Sequence, residues 1–245
     1  MSFTLPTETV QLPSKGLVYP EDNPLSSGEI EMKYMTAKEE DILTNSSYIA
    51  DGTVLDRLMS SLIVSKIKYD DLVVGDKNAI MVAARILGYG KDYTFNLSGK
   101  EYTIDLTTIE NKPINEKILV KGQNEFPFTL PKSGNEITFK FLTHKDEMDI
   151  KKELDSLKKI NDEASAELTT RLYYMITSIE GSREKKSIKE FVSNYLLAMD
   201  SRALREYITE IQPDVDLSFS PRKSSKDRIN IPIGVDFFWP DFGKR

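Results

Sequence analysis

Lys91-Asp92-Tyr93-Thr94-Phe95-Asn96-Leu97-Ser98-Gly99-Lys100-Glu101-Tyr102-Thr103-Ile104-Asp105-Leu106 changes the period of the chain. Upstream, apolar residues recur at helical spacing. Here Tyr93, Phe95 and Leu97, then Tyr102, Ile104 and Leu106, alternate with polar neighbours, the period of a half-buried strand. Ser98-Gly99-Lys100-Glu101 supplies the turn of an antiparallel hairpin. A second block repeats the plan with Phe126, Phe128 and Leu130, the turn Pro131 to Asn135, and Ile137, Phe139 and Phe141. The shared Ser-Gly turns fit either duplication or convergence. Ile118-Leu119-Val120 offers one more strand, and Lys91 to Thr143 reads as an antiparallel sheet.

Working towards the N-terminus, Asp76 to Leu87 is apolar around much of its girth and reads as a central helix ended by Gly88 and Gly90. Val54, Leu55, Leu58, Met59, Leu62 and Ile63 define an amphipathic helix. Thr36 and Glu39 have capping-box spacing at the start of a short helix reaching about Asn45, and Ile30, Met32 and Tyr34 alternate as a strand. Met1 to Ser26 carries Pro6, Pro13, Pro20, Pro24 and Gly16, which predicts an extended arm with a turn after Leu12. Its Leu12, Leu17 and Tyr19 suit packing along a surface, either the chain's own or a neighbour's.

Towards the C-terminus, Thr143 and Asp146 open a long charged helix with a narrow stripe of Met148, Ile150, Leu154, Leu157 and Ile160. Further helices are expected over about Ser165 to Ile179, from a Ser187 cap with Ile188, Phe191, Val192, Tyr195, Leu196 and Leu197, and from Asp200 to Ile211 before Pro213. Val215, Leu217 and Phe219 then face Ile229, Ile231 and Ile233 across a loop, a third hairpin. The fold class is α+β: N-terminal arm and helices, antiparallel hairpins, a C-terminal helical subdomain, and a final hairpin with an aromatic tail. The sections are 1–26 extended arm, 27–143 mixed helix and sheet, 144–212 helical subdomain, and 213–245 hairpin and docking tail.

The ending Ile231 to Arg245 puts Phe237, Phe238, Trp239 and Phe242 into a stretch that Pro232, Gly234, Pro240 and Gly243 keep from a stable helix or central strand. Such a segment either folds back over its own core or presents anchors to another subunit, since buried aromatics are common interface hot spots. The preceding loop is basic, with Arg222, Lys223, Lys226 and Arg228 against the single Asp227. It is either a solvated turn or a docking site for an acidic partner.

Net charge of -6 argues against general nucleic-acid binding, which needs a basic face. The absence of cysteine excludes disulfides and thiolate sites and fits a reducing compartment. No apolar run approaches membrane-spanning length, and the first residues lack a signal-peptide pattern, so an intracellular product without membrane partners is expected. The lone His144 at a helix start suits a capping or surface role, and no phosphate-cradling loop, dinucleotide fingerprint or nucleophile elbow is present. Asp70-Asp71 and Asp214-Val215-Asp216 read as turn acidity, and Tyr173 and Tyr174 as core-edge residues. No catalytic residue, metal site or cofactor is assigned.

Gln11-Leu12-Pro13-Ser14-Lys15-Gly16-Leu17-Val18-Tyr19, the stretch Gly28 to Asp41 around Met35-Thr36-Ala37-Lys38-Glu39-Glu40-Asp41, and the ending Ile231 to Asp241 resemble the baseplate hub assembly proteins of T4-like contractile-tailed bacteriophages. The order of features agrees over most of the chain, while the specific residues lie at its two ends. The resemblance implies a non-enzymatic protein that builds the central hub in the host cytoplasm, docking other hub or tail proteins and either staying in the virion or leaving it. Similar tail proteins can carry cysteine pairs in the loop corresponding to Pro221 to Asp227; this sequence has none, so no metal is carried over. The expected partner-binding residues are Leu12, Leu17, Tyr19, Arg222, Lys223, Lys226, Phe237, Phe238, Trp239 and Phe242. A transient tail-assembly chaperone is the main alternative. A nucleic-acid factor using the basic loop and Arg183, Lys185 and Lys186 is disfavoured by charge.

Overall fold

The computed structural model describes residues 5–160, 166–220 and 228–238. β1 (Thr7–Gln11) pairs antiparallel with β2 (Glu29–Lys33), Thr7 opposite Lys33 and Gln11 opposite Glu29. Between them the chain doubles back through a loop in which Lys15 and Gly16 have φ of 50° and 74°. Gly16 and Gly28 pass backbone to backbone, and a side-chain carbon on either would collide with main-chain atoms of the other limb. Glycine is required there. The arm therefore packs along the chain's own surface and fills part of the core.

α1 (Ala37–Leu43) begins where the Thr36 N–H donates to Glu39 Oε2 at 3.0 Å. α2 (Ser46–Ala50) follows as a separate helix, the Tyr48 N–H capped by the Asn45 side chain. α3 (Val54–Leu62) buries Val54, Leu58, Met59 and Leu62 along one face. α4 (Val74–Tyr89) is the central helix: Ala79, Ile80, Met81, Val82 and Ala84 are all buried. It runs through Gly88 and ends at Gly90, whose carbonyl accepts from Arg85 Nη1 at 3.0 Å. A cation at that end also suits the helix dipole.

β3 (Asp92–Leu97) and β4 (Lys100–Asp105) form the expected hairpin, in register from Asp92–Asp105 to Leu97–Lys100. They do not continue into one sheet with the next block. β5 (Phe126–Thr129) and β6 (Glu136–Phe139) pair instead with β7 (Ile176–Ile179), giving a separate sheet of order β5-β6-β7. Ile118 to Val120 is no strand: Leu119 is buried from a turn in which its N–H donates to the Asn115 carbonyl at 3.1 Å.

α5 (His144–Ile160) starts as expected, the Thr143 N–H donating to Asp146 Oδ2 at 2.9 Å. α6 (Glu167–Met175) stops four residues short of the expected helix, because Ile176, Thr177 and Ile179 leave it to form β7 on the open edge of β6. Isoleucine and threonine suit a strand better than a helix end, and the spacing of these apolar residues fits both. α7 (Lys185–Asn194) is capped at Glu184, three residues ahead of the expected Ser187 cap. α8 (Ala198–Ile211) begins before Asp200, whose carboxylate is used elsewhere.

The chain after α8 returns onto α4. Asn78 Nδ2 donates to Asp214 Oδ1 at 3.0 Å, and Gly75 lets the Pro213 carbonyl lie against the first turn of the helix. β8 (Ser218–Phe219) and β9 (Ile229–Asn230) are a short version of the third hairpin. A helical turn at Val235–Phe238 closes the described fold, and one hydrophobic cluster extends from Leu12 to Phe238. The molecule is α+β, with small antiparallel sheets around α4.

Candidate docking surface and cleft

The residues expected to bind partners fall into three groups. Leu12 and Tyr19 are 1% and 3% exposed, and Phe237 and Phe238 are 1% and 0% exposed, so all four belong to this chain's own core. Leu17 is half-buried against the same core. Arg222, Lys223, Lys226, Trp239 and Phe242 lie outside the described residues.

The correction at both ends has a physical cause. Tyr19 Oη donates to Asp76 Oδ2 at 2.6 Å and accepts the Val73 N–H at 3.0 Å, while Ser14 gives Asp76 its N–H and hydroxyl at 2.9 and 2.6 Å. Burial pushes the Asp76 carboxyl above its ordinary range, against the pull of these donors. The arm is thus fastened through a buried network to the start of α4. At the other end Phe237 meets Tyr93 edge-on, ring centroids 4.8 Å apart, and Phe238 packs on Phe237 at 5.2 Å. Phe237 thus covers Tyr93 of β3, while Phe95 and Tyr102 farther along the hairpin meet Phe219. For Phe237 and Phe238 the alternative of folding back over the core holds.

The exposed apolar surface lies where the sequence placed a helix stripe. α7 ends at Asn194, so Tyr195 and Leu197 leave its buried face, and Tyr195, Leu197 and Met199 are 62%, 44% and 68% exposed. Three large apolar side chains within five residues at one corner form the kind of patch that marks an interaction surface. The corner is braced. Tyr195 and Leu196 N–H groups both donate to the Phe191 carbonyl at 2.9 Å. Asp200, fully buried, accepts the Lys132 and Ser133 N–H groups at 2.7 and 3.0 Å, tying α8 to the β5–β6 turn. Burial alone would raise the Asp200 carboxyl, but these amides hold it below the ordinary range.

A broad cleft of about 830 Å³ opens between the α1 to α3 region and α5. Its floor holds His144, 5% exposed, with Asp56 from α3 and Lys77 from α4. Lys77 Nζ lies 2.7 Å from Asp56 Oδ1 and 3.1 Å from His144 Nδ1, while His144 Nε2 faces Asp56 Oδ2 at 3.7 Å. The ammonium donates to Nδ1, which leaves the imidazole proton on Nε2 towards Asp56. Burial, with Lys77 beside it, keeps the His144 pKa below the ordinary value, so the ring is neutral at pH 7. The Lys77 ammonium takes up one ring nitrogen, and the group joins α3, α4 and α5. The rim carries Arg57, its guanidinium 4.1 Å over the Tyr48 ring, with Lys38 and Lys145.

Among the described residues no group of three or more acidic or histidine side chains is placed to hold a metal ion, and no helix is long and apolar enough to cross a membrane. Comparisons with protein-family models, with curated proteins and with solved structures find no match to this chain.

Proposed function

We propose that this chain is a non-enzymatic structural or assembly subunit of a contractile phage tail baseplate hub, working by docking onto other tail proteins in the host cytoplasm. The observation that carries docking is the braced apolar corner Tyr195, Leu197 and Met199, which is exposed while the chain's other large apolar groups are mostly buried. A soluble body gains nothing by holding such a patch in water, and aromatic and methionine side chains are enriched at interfaces. The Lys77 ammonium that occupies His144 Nδ1 beside the cleft supports the non-enzymatic part. The baseplate rests on the resemblance at Gln11 to Tyr19, Gly28 to Asp41 and Ile231 to Asp241.

Co-expression of the full chain with hub proteins of the same phage, followed by mass analysis, tests the reading. A defined complex supports it, and a monomer that captures none of them overturns it. Presence of the chain in purified tails would mark a resident subunit; absence from them, after complex formation, would mark a transient assembly chaperone.

A further inference from the structure

We propose that the cleft between α3 and α5 receives an extended acidic segment of a partner protein. This rests on the docking reading above but uses a different surface from the apolar corner. The argument is one of charge and shape. Of the acidic groups lining the cleft, Asp56 is paired with Lys77 at 2.7 Å and Asp149 with Lys152 at 3.2 Å. Asp70 then stands alone against Lys38, Arg57 and Lys145, none of which forms an ion pair among the described residues. The cleft is therefore locally positive in a chain of net charge -6.

Arg57 fixes the geometry. Its Cζ lies 4.1 Å from the Tyr48 ring centroid and its Nε donates to Thr53 Oγ1 at 3.3 Å, while its terminal nitrogens have no hydrogen-bond partner among the described residues. A guanidinium held in this way presents an open fork that matches a carboxylate with two parallel bonds. Ile42 and Met148 line the same cleft and offer an apolar surface beside the fork.

The lining of α5 runs from His144 to Lys152. That is about 12 Å at ~1.5 Å per helical residue, the span of roughly four extended residues at ~3.3 Å each. A peptide suits the mixture of charges better than a nucleic acid does. Asp70 would repel a run of phosphates, whereas a peptide brings an N–H donor for this acid together with carboxylates for the cations.

The test is fluorescence anisotropy of the full chain with a fluorescein-labelled Glu-Phe-Glu-Glu peptide. Saturable binding that weakens with salt is expected. Binding should fall about a hundredfold or more in the Arg57→Glu/Lys145→Glu chain, the loss of two charge-assisted pairs. Both side chains are exposed, so the variant should keep the wild-type circular dichroism. No saturable binding, equal binding by the variant, or tighter binding of oligothymidylate than of the peptide would each overturn the proposal. Absent peptide binding with intact capture of hub proteins refutes the cleft alone. Peptide binding without such capture refutes the docking reading alone.

Discussion

The Tyr19 hydroxyl and the Asp76 carboxylate, 2.6 Å apart and both buried, join the N-terminal arm to the start of the central helix. Removing that hydroxyl strands the Val73 N–H and leaves Asp76 Oδ2 with only the Ser14 hydroxyl as donor. Tyr19→Phe should therefore cost about 1–3 kcal/mol, and Asp76→Ala, which also strands both Ser14 donors, about 3 kcal/mol or more. Urea unfolding should show a lower midpoint with an unchanged slope. An unaltered midpoint in both variants would mean that the arm is not fastened there.

Phe238 is fully buried and Phe237 nearly so, which makes the C-terminal segment part of the core. Phe238→Ala should destabilise by about 3–5 kcal/mol. Deleting residues from Gly234 onwards should lower the melting temperature and helical circular dichroism together. Preservation of both would show that the segment is dispensable.

Glu39 sets an acid limit on stability. Burial opposes its ionisation, yet Lys33 Nζ at 2.8 Å, the Thr36 donors and Ser61 Oγ at 2.7 Å bring its pKa down to about 2. A depressed carboxylate stabilises the fold above its unfolded pKa of 4.5 and loses that contribution as pH falls through about 2. The contribution is on the order of 2–3 kcal/mol. Asp76 has the opposite sign: its raised pKa favours the fold at low pH and that help fades as pH rises through the folded value. Glu39→Gln should flatten stability between pH 5 and pH 2, roughly the window set by those two pKa values. An unchanged slope in the variant would count against the assignment.

Tyr195→Ser and Met199→Ser should leave unfolding midpoints within about 0.5 kcal/mol of wild type, because neither side chain is core. A large loss of stability would show that the corner serves the fold.

Periodicity was most legible where one pattern had one solution. Val54 to Leu62 and the Tyr93 to Leu106 hairpin formed as their spacing requires. It failed at Ile176 to Ile179, where helix and strand readings both fit and only the vacant edge of β6, remote in sequence, decides. The candidate site was less legible than the fold. Leu12, Tyr19, Phe237 and Phe238 have the composition of anchors, but composition does not say whose groove they fill. Here Asp76 and Tyr93 provide it within the same chain. Tyr195 and Leu197 were hidden for the converse reason: they match a helical stripe, and the helix stops one residue before them.

The most direct measurement is capture of baseplate hub proteins of the same phage by the tagged full chain, compared with a Tyr195→Ser/Met199→Ser chain of equal stability. The account predicts a stoichiometric complex with the wild-type chain and its loss with the variant. No complex with either, or the same complex with both, would contradict it.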